Sequence, residues 1–301
     1  MDEVEDTEKK MSRHLKIALI ITCAAIVFAA LYVGAILAYQ GDTSSRMVLL
    51  VPKPPNTPNY MTLQVKTLSV DLNRGSMDMR VIFLPSNNLL NNDEELTQDL
   101  RFIATTTTGG VERLLPKGQF PSPTDVTIEL SGTVSDYPWD LHQGGLAMEV
   151  SGPKVNGKNQ YVPIQVKFSG DIPGIDINGK MDSKPEDPDQ AVAILVRRSP
   201  VTKAVVIFSM VLLWVLTATV LTLVIAVMLG HKIEMVMFPF IGTILFSMVV
   251  FRNALPGSPP IGAMSDYLTS WGYALTVLAL LALTVTWARR LPPRESRDSK
   301  A

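Results

Sequence analysis

The chain has 301 residues, 47% hydrophobic and 18% charged, with a formal net charge of −1 and a mean hydropathy of +0.22. Soluble domains usually carry about a quarter charged residues, so the balance argues against a wholly water-soluble protein, and the near-neutral charge excludes the basic face that nucleic acid needs. A single cysteine, Cys23, excludes an intrachain disulfide, and His14, His142 and His231 are too dispersed for zinc-ligand spacing.

After a tail at 1–16 containing Lys9, Lys10, Arg13 and Lys16, residues 17–39 form an apolar run interrupted only by Thr22 and Tyr32. That is long enough to cross about 30 Å of hydrocarbon. It reads as a retained anchor. A cleaved signal peptide would have a shorter core and a better small-x-small site than Val33-Gly34-Ala35. Cys23 does not read as a lipid attachment site, because the apolar stretch before it is too short and Thr22 precedes it.

Residues 40–58 are a Pro-rich spacer around Val51-Pro52-Lys53-Pro54-Pro55. From 59 to 202 the pattern changes to short period-two runs at 61–70, 77–84, 100–107, 126–130, 146–150, 161–168 and 191–196, separated by Gly, Pro, Asn and Asp. This predicts an antiparallel β-sandwich, with a polar loop and a helical turn at 87–98. No Gly-rich phosphate loop, nucleophile elbow or His–Cys pair stands out. The expectation is a non-enzymatic protein without a cofactor.

Three further apolar runs follow, at 203–229, 235–251 and 268–288. Pro239 and Gly242 interrupt the second of these, which suggests a helix buried among neighbours rather than facing lipid. Trp271, Tyr273 and Trp287 lie near the ends of the last, as interfacial aromatics do. The tail at 289–301 carries Arg289, Arg290, Arg294, Arg297 and Lys300. The positive-inside rule then puts both termini in the cytoplasm, with 40–202 and the loop at 252–267 outside. Arg197, Arg198, Lys203 and Arg252 oppose the rule and need another reason for their placement. The expected fold is a multi-pass cell-membrane protein: four transmembrane α-helices, one N-terminal and three C-terminal, plus an extracytoplasmic antiparallel β-sandwich, with the lipid bilayer as partner.

Three segments carry a resemblance. Tyr137-Pro138-Trp139-Asp140 resembles the aromatic-Pro-aromatic-Asp loop of pentameric ligand-gated ion channels, which lies at the membrane-facing end of their sandwich. Arg197-Arg198-Ser199-Pro200 resembles the basic, proline-containing approach to that family's first membrane helix. Arg252-Asn253-Ala254-Leu255-Pro256, with Asp266 further on, resembles its linker after the pore helix. The resemblance implies that Tyr137, Pro138, Trp139, Asp140, Arg197, Arg198, Arg252, Asn253, Leu255, Pro256 and Asp266 couple the domain to the membrane. It also implies a pore face at Met235, Pro239, Gly242, Phe246 and Val249, with Lys232 or Glu234 at its inner end. That stripe is apolar, and Phe246 would constrict it by dewetting, so conduction does not follow from the architecture. Thr243 and Ser247 are expected to bond a neighbouring helix or their own backbone, and Asp266 to serve as a helix N-cap.

The whole layout is also similar to an uncharacterised bacterial family of membrane proteins, a domain of unknown function, sharing the Arg-Asn-x-Leu-Pro…Pro-Pro-x-Gly stretch at 252–262. Three functional classes remain open on these residues: a channel-like homo-oligomer, by the channel resemblance a pentamer; an accessory or scaffold subunit of an envelope complex; and, against the expectation of a non-enzymatic protein, a membrane-bound enzyme, which would need catalytic groups converging in space.

Overall fold

The computed structural model describes residues 47–51, 57–106, 109–155, 157–170, 172–182, 187 and 189–291, together with six positions in the first apolar run. Those six, Thr22, Ile26, Ala29, Val33, Gly34 and Ile36, are helical and belong to a separate unit covering 1–44. The expected tail at 1–16, most of the span at 17–39, spacer residues 40–46 and 52–56 and the tail from 292 lie outside the described residues.

Alternating side chains build the first part of the second unit into twelve strands. These are β1 (Met47–Val51), β2 (Met61–Asp71), β3 (Ser76–Pro85), β4 (Leu100–Thr106), β5 (Gly109–Leu115), β6 (Thr124–Glu129), β7 (Ser131–Gly132), β8 (Leu141–Val155), β9 (Lys158–Tyr161), β10 (Ile164–Ser169), β11 (Ile175–Met181) and β12 (Asp189–Arg198). Five form one sheet in the order β1-β10-β2-β3-β6; the other runs β11-β12-β8-β4-β5, with β7 and β9 also on β8. In β6 the apolar positions Val126 and Ile128 are buried while Asp125, Thr127 and Glu129 face out. Period two forces that division. Phe83 of one sheet meets Phe102 of the other edge-on, ring centres 4.9 Å apart at 76°, and both are fully buried. Each such ring contributes about 1.5–3 kcal/mol through its removal from water.

The sandwich departs from the sequence expectation in one pair: β10 runs parallel to β2, Ile164 opposite Met61 through Ser169 opposite Lys66. Alternation assigns a face to each residue and says nothing of the neighbour's direction. Strands β1, β5, β7, β9 and β11 were not expected either. Strands β1, β5 and β11 are edges. On β5, for instance, Glu112 and Leu114 are both exposed, so two-sided burial imposes no clean pattern. The polar stretch at 87–98 does hold a 3-10 turn, Asn87–Leu89.

Three helices follow: α1 (Pro200–Met228), α2 (Met237–Asn253) and α3 (Met264–Arg289). By length and composition α1 and α3 can cross a membrane. At 17 residues α2 is only about 25 Å long. Pro239 is its third residue, where the backbone N–H has no helical partner to lose, so proline ends nothing there. Contrary to expectation α2 is not buried all round: Ile241, Ile244 and Met248 pack inward while Phe240, Phe246, Val249 and Val250 are exposed. Thr243 and Ser247 donate to Pro239 O and Thr243 O at 2.8 Å, within their own helix.

Helices α1 and α3 approach closely at Gly272, where a Cβ would sit 2.9 Å from Thr217 Oγ1. A small residue at the contact lets the two helix backbones approach closely. Tyr273, half-buried, donates its hydroxyl to Met248 O at 2.9 Å, joining α3 to α2.

Candidate functional site

Strand β12 passes directly into α1, and that junction organises the site. Ser199 caps the helix by accepting from Thr202 N at 3.2 Å, and Pro200 follows at its first turn. Its fixed φ and missing N–H suit that position. Thr202 Oγ1 in turn donates to Gly174 O at 2.8 Å, tying the helix start to the sandwich.

The strand's alternation sends its two terminal arginines to opposite faces. Arg197 points outward and pairs with Asp176, its Nε donating at 2.7 Å. Arg198 points inward, and its Nε donates to both carboxylate oxygens of Asp140, at 3.2 and 3.1 Å. Both side chains are essentially out of water, 5% and 0% exposed. The guanidinium carbon also lies 5.0 Å over the Tyr137 ring centre, a cation–π arrangement. These two ion pairs supply the reason sought for arginines on this side of the helices.

Asp140 reaches this position at the end of a tight segment. A 3-10 turn at Val134–Asp136 leads into a cis Tyr137–Pro138 bond, then Trp139 and Asp140, immediately before β8. Two residues on, and therefore on the same face, His142 Nε2 lies 3.3 Å from Asp140 Oδ2. His142 Nδ1 is buried without a hydrogen-bond partner among the described residues, and a Cβ on Gly132 would collide with it.

The loop after α2 meets this group from the helical side. Tyr137 donates its hydroxyl to Pro256 O at 2.7 Å. Leu255 and Ala263 bury themselves with Tyr137, Val206 and Met210 in one small apolar cluster. Gly257 has φ +75°, and a Cβ there would run into Arg198 Nη1, so glycine is required for both conformation and space. On the β2–β3 turn, Asn73 Nδ2 donates to Ser258 O at 3.2 Å. The same loop is closed on itself by Arg252, whose Nε and Nη2 donate to Asp266 at 2.9 and 2.8 Å. Arg252 also donates to Pro259 O and Pro260 O, at 3.3 and 3.2 Å.

Of the residues singled out from sequence, Tyr137, Pro138, Asp140, Arg198, Leu255 and Pro256 come together at this joint. Arg252 and Asp266 make a separate pair within the loop, and Arg197 turns away to Asp176. Trp139 is 45% exposed and Asn253 is exposed, and neither joins the group. Asp266 is not the N-cap, which is Ala263; it sits one turn in and accepts from Gly262 N at 2.8 Å. Met235, Pro239, Gly242, Phe246 and Val249 are all exposed. His142, Asn73 and Gly257 escaped sequence reading; only the two-residue spacing of His142 from Asp140 offered a signal.

Nothing at the joint arranges a nucleophile beside a base, and among the described residues no cluster of three His, Cys, Asp or Glu could hold a metal ion. One charge pair, one phenol and one apolar cluster hold strand, turn and helix loop in register.

Residues 51–196 match a family model described as Domain of unknown function (DUF4436), and residues 198–290 match a second, Domain of unknown function (DUF8686). Among curated proteins nothing matches the chain. Asp140 lies in the first matched segment and Arg198 opens the second.

Burial pushes the Tyr137 phenol up from 10.0 to about 12, Arg198 opposing and Asp140 reinforcing the rise. Because the folded value is raised, this contribution to stability is complete below about pH 10 and is lost as pH climbs toward 12. Unfolding midpoints recorded across that range should fall for the native chain, and Tyr137→Phe should abolish this part of the fall. At neutral pH the same substitution should cost about 1 kcal/mol, the worth of one hydrogen bond.

Proposed function

We propose that this is a non-enzymatic integral membrane protein in which an extracytoplasmic sandwich is rigidly coupled to a helix bundle. On this reading it transmits the state of the outer domain, or of a partner docked on it, to the helices. The observation that carries the reading is the buried Asp140–Arg198 pair roofed by Tyr137 and locked to Pro256. Two long apolar helices support the membrane placement. Charge distribution supports the orientation: near the sandwich Arg197, Arg198 and Arg252 are neutralised by carboxylates, leaving Lys203, whereas Lys232, Arg289 and Arg290 gather at the opposite end.

Single cysteines tested in a Cys23→Ser background check membrane placement and orientation together. In intact cells a membrane-impermeant maleimide should label Leu114→Cys, on the exposed edge of β5, and spare Leu291→Cys until the membrane is opened. Equal labelling of both in sealed cells, or recovery of the chain in the soluble fraction, overturns the membrane reading.

Coupling is tested by Asp140→Ala, which strands a buried guanidinium and should destabilise the joint by about 3–5 kcal/mol. In the native chain the β-sheet signal and the fluorescence of Trp214, Trp271 and Trp287, read with Trp139→Phe, should melt together. In Asp140→Ala they should separate. Coincident melting in both chains removes the support for coupling.

A second reading, that several copies form a ring, is favoured by the exposed stripe of Met235, Phe246 and Val249, which has no partner among the described residues. The mass of the full chain in mild detergent decides it. Five copies support the channel-like arrangement, whereas one copy leaves the coupled domain as a docking scaffold.

A further inference from the structure

At the end of the bundle away from the sandwich, a cleft of about 330 Å³ is lined by Lys232, Ile233, Trp287, Arg290 and Leu291. The linker between α1 and α2 and the last turn of α3 build it. Arg290 fixes these elements together: its Nη2 donates to Val227 O at 2.9 Å and its Nη1 to His231 O at 3.0 Å. A cation suits that place, because the final carbonyls of α1 carry the negative end of the helix dipole. Trp287 is held as an apolar wall by Phe238, edge-on at 75° with ring centres 6.0 Å apart.

Two positive charges therefore stand beside an apolar wall. Among the described residues no carboxylate pairs with either Lys232 or Arg290. The contrast with the opposite end of the bundle is sharp. There a cleft of about 490 Å³ also combines an arginine with apolar walls, but Arg252 is already neutralised by Asp266. Of these two clefts, the one beside Trp287 holds cations that have no carboxylate partner among the described residues.

We infer that this cleft binds an anionic phospholipid of the leaflet at this end, with its phosphate on Lys232 and Arg290 and its chains along Ile233, Trp287 and Leu291. Basic pockets between helix ends are suited to such headgroups, and the apolar wall distinguishes the ligand from a free anion. The inference rests on the membrane reading above and adds to it a ligand class and a site.

Native mass spectrometry of the full chain in nonionic detergent tests it, with phosphatidylglycerol and phosphatidylcholine of identical acyl chains as probes. Two cations at about fivefold each predict a preference for the anionic lipid of about 25-fold. Lys232 is exposed, so Lys232→Gln should leave the fold intact and reduce the preference about fivefold, while Lys232→Arg restores it. Lys203→Gln, at the other end of α1, should change nothing.

Equal binding of the two lipids overturns the inference, as does an equal loss in Lys203→Gln. Displacement of the lipid by inorganic phosphate at matched concentration would show an anion site and overturn the lipid assignment. A chain that passes the cysteine-labelling test yet binds both lipids equally removes this inference alone. A chain that fails the labelling test removes the reading beneath it as well.

Discussion

A carboxylate and a guanidinium, both withdrawn from water at the meeting of strand and helix, set the terms for everything around them. Forming such a pair brings little net stability, because desolvation offsets most of the attraction, but separating it leaves an uncompensated buried charge. The penalty for displacement is therefore steep even though the pair itself is not a large stabiliser. Asp140 belongs to the turn before β8 and Arg198 to the last residue of β12, so neither strand end can slide without exposing or orphaning the other. Tyr137 and Gly257 then fit around that fixed point. The phenol covers the guanidinium and grips Pro256, and the missing side chain of Gly257 leaves the guanidinium its room.

From that joint the helical part follows by length. Helix α2 is shorter than about 30 Å of hydrocarbon, whereas α1 and α3 exceed it. The Pro- and Gly-containing loop at 254–263 follows α2, and Arg252 and Asp266 fold it back on itself. A loop closed in that way presents Pro256 O to the Tyr137 hydroxyl.

Much of this was legible before any coordinates. Each of the seven predicted period-two runs overlaps a strand, because alternation reports burial on one face, and the three later apolar runs became helices. Tyr137 and Pro256, both singled out by the channel resemblance, are joined by a hydrogen bond. Their chemistry was not legible, since it depends on which of two adjacent arginines faces inward, and that is decided by the register of β12 against β8 and β11. Of the four edge strands β1, β5 and β11 were missed, whereas β6, with one face cleanly buried, kept the alternation that revealed it. Proline at 239 suggested an interruption, but its position in the first helical turn makes it harmless.

The parallel pairing of β10 with β2 has a consequence for the order in which the domain can be made. Thr62 and Gln165, bonded across that pair, are 103 residues apart in the chain. The β2–β3 hairpin can close as soon as it is synthesised, but its other side stays bare until nearly the whole sandwich has emerged. Contacts of such high sequence separation are slow to form, and an unpaired strand edge is a template for pairing with other chains. The vulnerable surface of the nascent protein is thus the side of Met61–Lys66 that later receives Ile164–Ser169.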